Sequence, residues 1–147
     1  MIVKAKVKIE SSIENLDASG LPEGDIEKNF TEAEGFYRFD EGEAFVSFTE
    51  QTDGGKCRTE IILLGGEVTV RRSGAIESEM RFLEGADHSS IYSIPPYQFD
   101  VTVTTKRIRL DLTEAGGKIN LFYNMKIGGA DKAARMKIWI SRASNQN

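Results

Sequence analysis

The chain has 147 residues, the length of one domain of ordinary size and too short for two. With 39% hydrophobic and 29% charged residues, it has the composition of a folded globular protein, which excludes general disorder. The formal net charge of −4 at pH 7 excludes a protein that is basic overall and argues against nucleic acid as a partner. We therefore predict one domain over residues 1–147.

The rarity of cysteine and histidine limits the chemistry that the chain can carry. Cys57 has no second cysteine with which to form a disulfide, and His88 is the single histidine, which excludes metal sites built from several such ligands. No segment approaches the roughly 20 apolar residues that cross a bilayer, and lysines interrupt the N-terminus where a signal peptide is continuously apolar. We expect a cytoplasmic protein with no metal, no cofactor and no membrane contact.

Alternation of apolar and polar residues dominates the sequence from end to end. Residues 3–10 alternate in this way and predict the first strand. The acidic segment 11–27 contains Gly20, Pro22 and Gly24 and is predicted to be a mobile polar loop. Further strands are predicted near 28–39, 43–51, 56–64, 66–72, 76–84, 87–94, 99–104, 107–112, 118–127 and 136–141. Residues 143–147 are predicted to be a disordered tail.

Glycine-rich turns separate the predicted strands. They supply the positive φ angles of tight hairpins and lie at Asp53–Gly55, Gly65–Gly66, Ser73–Gly74, Gly116–Gly117 and Gly128–Gly129. Pro95–Pro96 predicts a corner between two strands, because proline cannot donate to the ladder. Hairpin-linked strands must protect their edges, and closure does this most simply. We predict an all-β, single closed or nearly closed antiparallel up-and-down barrel of about ten strands, with a two-sheet sandwich as the alternative.

Several motifs in this order resemble the YwiB-like family of small bacterial proteins of unknown function. The motifs are Glu34–Tyr37, Phe45–Glu50, Val68–Gly74, Met80–Phe82, Tyr92–Tyr97 and Ile119–Tyr123. The resemblance implies a calycin-like or lipocalin-like antiparallel barrel, and it implies no established activity, ligand or catalytic residue. The likeness to lipocalins concerns architecture alone, since fold does not imply function.

Charge is divided unevenly along the chain. Residues 1–60 hold 7 basic and 14 acidic side chains, net −7, whereas residues 61–147 hold 12 and 9, net +3. Because the alternation continues across this boundary, one interpretation is that opposite charges face each other across one sheet. The other interpretation is a basic face for an anionic partner.

Two charged residues fall on inward faces of predicted strands. Arg72 continues the apolar row of Val68 and Val70, and Glu50 continues the row of Val46 and Phe48. Burying either charge alone is costly, so we predict that Arg72 and Glu50 meet at one end of the barrel. One interpretation of the pair is a polar plug that fixes register. The other is a site for a carboxylate or phosphate, held by the planar fork of arginine.

Aromatic and basic residues offer further candidates. Tyr92, Tyr97 and Tyr123 can line a cavity, although such tyrosines are also common in cores with their hydroxyls at the rim. Phe122 and Trp139 are predicted to face outward, as a dimer contact or under a loop. The candidates for an external basic patch are Lys106, Arg107, Arg109, Arg71 and Arg81. The acidic residues expected to neutralise much of its charge are Glu77, Glu79 and Asp111.

Catalytic constellations are missing from the sequence. There is no phosphate loop, dinucleotide fingerprint or hydrolase elbow, and Asp87–Ser90, which holds the residue types of a triad, is predicted to be a surface turn. We therefore predict a protein that is not an enzyme and binds a small ligand in or at the mouth of the barrel. The ligand-binding residues are predicted to be Arg72, Glu50, Tyr92 and Tyr123. The alternative is a structural or interaction module with a filled barrel, acting through a homodimer or partner-protein surface.

Overall fold

The computed structural model describes residues 1–143, which form ten β-strands and no helix. The strands are β1 (Val3–Asn15), β2 (Glu27–Asp40), β3 (Glu43–Thr52), β4 (Gly55–Leu64), β5 (Glu67–Gly74), β6 (Ser78–Phe82), β7 (Asp87–Ile94), β8 (Tyr97–Thr113), β9 (Gly116–Ile127) and β10 (Ala130–Arg142). All described pairings are antiparallel. The predicted all-β barrel of about ten strands is confirmed.

The strands form one sheet in the order β6-β5-β4-β3-β2-β1-β10-β9-β8-β7. Strands that are consecutive in the chain therefore pair with each other, except that β6 does not form a ladder with β7. In addition, β1 pairs with β10. The β1–β10 ladder joins the two ends of the chain from Ala5–Arg142 to Asn15–Lys132. On the opposite side β6 and β7 lie next to each other, and the barrel is nearly closed there.

Alternation places one side of every strand in a common core. The inward residues are mainly Val, Ile, Leu, Phe and Met, as predicted, together with Ala and Tyr. Opposite residues of an antiparallel pair point to the same face, so Ile9, Ile138 and Ile119 form one inward row across β1, β10 and β9. Two-residue turns at Gly65–Gly66 and Gly128–Gly129 have positive φ at both positions, which non-glycine residues rarely adopt.

Two predicted boundaries are wrong. The loop predicted over residues 11–27 is shorter, because residues 11–15 extend β1 and pair with β10, and residues 11–13 also pair with β2. The runs 99–104 and 107–112 belong to one strand, β8, whose ladder with β9 shifts register between Thr105 and Arg107. The shift is a β-bulge with one extra residue, so the inward row passes from Thr105 to Ile108 instead of to Arg107. In the sequence this appears as a break in the alternation.

The loop between β1 and β2 is ordered by its own backbone and by one aspartate. The Asp17 carboxylate accepts hydrogen bonds from the amides of Ser19 and Leu21, at 2.8 and 3.0 Å. The predicted tail 143–147 lies outside the described residues except for Ala143, whose amide donates to Lys4. None of the described residues belongs to a helix long and apolar enough to span a membrane.

Candidate functional site

The gap between β6 and β7 is held by a single bridge. The amides of Glu77 and Ser93 each donate to the other's carbonyl at 2.9 Å, and this is the isolated pairing between the two strands. A cavity of about 460 Å³ opens beside the bridge. This cavity, the seam groove, is lined by Arg71, Arg72, Ser73, Glu77, Ser78, Glu79, Ser90, Ile91 and Ser93. Incomplete pairing thus leaves a groove in the side of the barrel, between β6 and β7, lined by charged and hydroxyl-bearing residues and Ile91.

The two adjacent arginines of the seam groove have different environments. Arg71 points outward, where its Nε donates to Glu79 at 2.9 Å and its guanidinium lies 3.9 Å from Glu60. Arg81 also contacts Glu79, at 3.1 Å, and the hydrogen bond from Arg71 holds the pKa of the Glu79 carboxyl below its usual range. Arg72 points inward and is half-buried, and within the described chain no carboxylate lies within 4.0 Å of it. Its charge is therefore uncompensated.

The charge of Arg72 acts on a buried tyrosine inside the barrel, Tyr123. Tyr123 is 5% exposed, and its ring packs edge-on against Phe82 with centroids 4.8 Å apart. Burial raises the pKa of Tyr123 to about 12, and the positive charge of Arg72 opposes part of that rise. The hydroxyl therefore keeps its proton at physiological pH and is a neutral hydrogen-bond donor beside a cation.

Further polar atoms point into the same part of the interior. Thr59 pairs with Arg72 across β4–β5, and Thr105 pairs with Tyr123 across β8–β9, so all four side chains lie on inward rows. The hydroxyls of Thr59 and Thr105 and the Nδ1 atom of His88 are buried without a hydrogen-bond partner in the described protein. Buried polar atoms are normally satisfied, so these atoms mark an interior region suited to a polar ligand group.

The predicted contact between Arg72 and Glu50 is wrong. Glu50 pairs with Cys57, and Arg72 pairs with Thr59, so the two charges lie two strands apart and two residues out of register. The spacings of a sheet make this a separation of about 12 Å between backbones. Alternation identified the inward faces of both strands, but it carries no information on how the strands are staggered.

The predicted tyrosines lie at different depths. Tyr92 packs against the core from β7 and pairs with Phe99, close to the seam groove. Tyr97 lies at the tip of the β7–β8 hairpin after the Pro95–Pro96 turn and is 64% exposed. The structure therefore places Tyr92 and Tyr123 on the inward side and Tyr97 in solvent.

Residues at the start of β7 also contribute to this region. The strand predicted near 87–94 is confirmed as β7, so the surface turn predicted over Asp87–Ser90 is wrong, and His88 pairs with the buried Val103. Ser90 and Ser93 line the seam groove. The signal that could have identified them is the alternation that continues through His88, Ser90 and Tyr92. Among residues 1–143 no three His, Cys, Asp or Glu side chains are grouped as metal ligands.

The basic residues predicted to form one patch are separated. Arg71 and Arg81 contact Glu79 on β5 and β6, whereas Arg107 and Arg109 lie on β8, which the segment after β6 contacts through the hydrogen bond from the Ile108 amide to Glu84. Phe122 and Trp139 point outward on β9 and β10 and are half-buried.

Comparison with known proteins places the chain in a family. The model of the family described as "Domain of unknown function (DUF1934)" matches residues 12–140. The uncharacterized β-barrel protein YwiB of Bacillus subtilis is 35% identical over 94 residues, which is 64% of this chain and 66% of that protein, just under two thirds of its length. A crystal structure of the ywiB protein from Bacillus subtilis superposes with a TM-score of 0.82 at 29% identity, covering 97% of this chain and 94% of that one. The chain therefore belongs to the DUF1934 family of β-barrel proteins, whose function is unknown.

Proposed function

We propose that this protein is a cytoplasmic, non-enzymatic binding protein that holds a small anionic ligand in the seam groove. The observation that carries the proposal is Arg72: a half-buried guanidinium that points inward beside a cavity of about 460 Å³ and has no carboxylate within 4.0 Å in the described chain. An uncompensated, partly desolvated charge is costly to the folded protein. A carboxylate or phosphate bound there supplies the missing partner.

Arginine suits this role because its planar fork binds both oxygens of a carboxylate or phosphate at once. Arg71 does not compete for the ligand, since Glu79 and Glu60 already hold it. The second carboxylate of the groove, Glu77, accepts a hydrogen bond from the amide of Gly74 at 3.1 Å. Among the described residues that line the groove, Arg72 is therefore the cation without an ion pair for an incoming anion.

The remaining groups define the rest of the proposed site. Ser78, Ser90 and Ser93 offer hydroxyls around the groove, and Ile91 offers apolar contact. Tyr92 and the protonated hydroxyl of Tyr123 lie inward of the groove, where they suit an aliphatic or aromatic body carrying a further acceptor. Glu50 is not among the residues that line the groove, so its contact with a ligand stays a prediction from the sequence.

The test is a comparison of ligand-dependent stability in two variants. Inorganic phosphate and succinate are titrated into the wild type, into Arg72→Met and into Arg58→Met, with the melting temperature and calorimetric heat as readouts. Arg58 is the matched control because it is an exposed arginine on β4 outside the groove. We expect at least one anion to raise the melting temperature of the wild type and of Arg58→Met, and neither anion to affect Arg72→Met.

Arg72→Met also distinguishes a site from a plug. A folded variant that no longer responds to anions supports the site, and native mass spectrometry of protein purified without refolding then identifies any retained ligand. Loss of folding in Arg72→Met, together with a wild type that no anion stabilises, contradicts the proposal and favours a polar plug. An unchanged anion response in Arg72→Met also contradicts it.

The second candidate is an interaction module with a solid barrel. It is favoured by the filled apolar centre, where Ile61, Ile119, Leu121 and Ile138 are each at most 1% exposed. This candidate predicts a concentration-dependent dimer in sedimentation and no retained small molecule in native mass spectrometry.

A further inference from the structure

The outward sides of β8, β9 and β10 form a compact basic surface. Register places nine outward residues in three rows, the basic grid: Asp111–Lys118–Trp139, Arg109–Asn120–Lys137 and Arg107–Phe122–Arg135. Five of the nine are Lys or Arg and one is acidic, so the grid has a net charge of +4 within a chain of net charge −4. A positive surface on an acidic protein requires that the remaining surface carry the acidic excess.

The cations of the grid are unpaired. Within the part of the chain that the structure describes, none of the five lies within 4.0 Å of a carboxylate oxygen. Asp111 is the register partner of Lys118, and Glu10 of Lys137, yet neither pair forms an ion pair. Glu79, expected from the sequence to neutralise this surface, instead contacts Arg71 and Arg81 on β5 and β6. Glu84 reaches the edge of this surface without forming an ion pair in the described chain, since its carboxylate accepts a hydrogen bond from the amide of Ile108, between Arg107 and Arg109, at 2.7 Å. The grid keeps an excess of positive charge for a partner.

Two aromatic rings lie between the cations. Trp139 has Lys8 on one side in the sheet and Lys118 on the other. Phe122 lies between Arg135 and Arg107, and the guanidinium carbon of Arg135 is 4.8 Å from its ring centroid. Both rings are half-buried on the outward face, and the Arg135 guanidinium lies over the Phe122 ring. A ring, or a guanidinium over a ring, offers a flat surface on which a base can stack.

The spacing of the grid matches alternating flat and anionic groups. Trp139 and Phe122 are four residues out of register on adjacent strands, which corresponds to about 14 Å between backbones. The middle row, with Lys137 and Arg109 on either side of Asn120, lies between them. A partner that places bases on the two rings therefore passes its phosphates over the middle row.

We propose that the basic grid binds single-stranded nucleic acid, with Trp139 and Phe122 as stacking platforms and Lys137 and Arg109 as phosphate contacts. A single strand exposes both its bases and its phosphates, which the rings and the cations require together. A duplex hides its base faces, and a lipid surface is bound through a broader apolar face than two rings provide. Two rings set among five cations therefore favour the single strand.

The probe is a short oligouridylate carrying a fluorescent label, with oligothymidylate of equal length beside it. Trp139 is the single tryptophan, so its fluorescence reports directly on the grid. We expect saturable binding at low salt, quenching of Trp139, and an affinity that falls with salt with a log–log slope of up to about −3.5, since up to five phosphates are neutralised.

Charge-reversal variants locate the binding surface. Arg109→Glu with Lys137→Glu is expected to lower the affinity by at least about tenfold. The matched control is Arg38→Glu with Lys56→Glu, which makes the same charge change at exposed positions on β2 and β4 and is expected to retain most of the affinity. Circular dichroism of both variants verifies that they are folded.

Four outcomes overturn the proposal. They are absence of saturable binding at low salt, equal losses in the grid and control variants, equal affinity for a duplex without quenching of Trp139, and binding of anionic vesicles in preference to the oligonucleotide. A dimer whose formation shields Trp139 from acrylamide and is not displaced by oligouridylate overturns it as well, and assigns the surface to a second copy of the chain.

Discussion

The barrel closes in two places that are built differently. At β1–β10 the two ends of the chain form an unbroken ladder from Ala5–Arg142 to Asn15–Lys132, over an inward row that includes Ile9 and Ile138. At β6–β7 strands that are consecutive in the chain share the single bridge between Glu77 and Ser93. The first closure is hydrogen-bonded and apolar, and the second is open and polar. The seam groove lies at the second because unpaired strands leave room and polar side chains tolerate the water there.

The largest expected difference between the closures is in buried volume. Ile138→Ala, at a fully buried position of the β1–β10 closure, is expected to lower the free energy of unfolding by about 3 kcal/mol, because it leaves a cavity that the ladder cannot fill. Ile76→Ala makes the same change at a half-buried position beside the β6–β7 bridge, and we expect a loss of about 1 kcal/mol. Urea denaturation measures both. Equal losses of stability in the two variants would contradict the view that the β1–β10 closure is packed more tightly than the β6–β7 closure.

The next effect concerns the interior beside the gap. In the folded protein, burial raises the pKa of Tyr123 to about 12, whereas a tyrosine in the unfolded chain has a pKa near 10. The stability that this difference contributes is complete below pH 10 and is lost as the pH rises through 12, up to about 2–3 kcal/mol. Urea denaturation between pH 8 and pH 11 is expected to show a shallower decline for Tyr123→Phe than for the wild type.

The control for this pH dependence is Tyr97→Phe, at the exposed tip of the β7–β8 hairpin. It removes one phenol without changing the interior and is expected to decline as the wild type does. If Tyr123→Phe also declines as steeply as the wild type, Tyr123 does not titrate in the way that its burial implies.

The smallest expected effect is on the bridge itself. Ser93→Pro removes the amide that donates to Glu77 at 2.9 Å, and proline is tolerated in an edge strand, so the loss of stability is expected to be about 1 kcal/mol. Hydrogen exchange is the more sensitive readout: the amide of Glu77 and those of β6 are expected to exchange faster, while β1 and β10 are unchanged. Faster exchange throughout the molecule instead means that the bridge is needed for global stability.

Sequence patterns predicted the candidate site unevenly. The inward direction of Arg72 follows from its place after Val68 and Val70, and the structure agrees. Its separation from Glu50 did not follow, because alternation has a period of two and is unchanged when a strand slides by two residues. Alternation predicted the strand that contains His88, near 87–94, but the polar residues around His88 also led to a turn prediction that its pairing with Val103 on β8 contradicts. Such errors arise wherever a contact depends on a neighbour that is distant in the chain.

The sequence by itself determined that the chain is all-β and built of hairpins, because alternating hydrophobicity and glycine turns act within a few residues of each other, whereas the β1–β10 pairing decided for a barrel over a sandwich. It also limited the chemistry through its single histidine and single cysteine. The tertiary structure alone decided which charges are neighbours: Arg71 and Arg81 contact Glu79, whereas Arg72 and the five cations of the basic grid have no carboxylate partner in the described chain. The physical reason is that ion pairing depends on strand order and register over a few ångströms. Those are set by packing and closure of the whole barrel and not by local pattern.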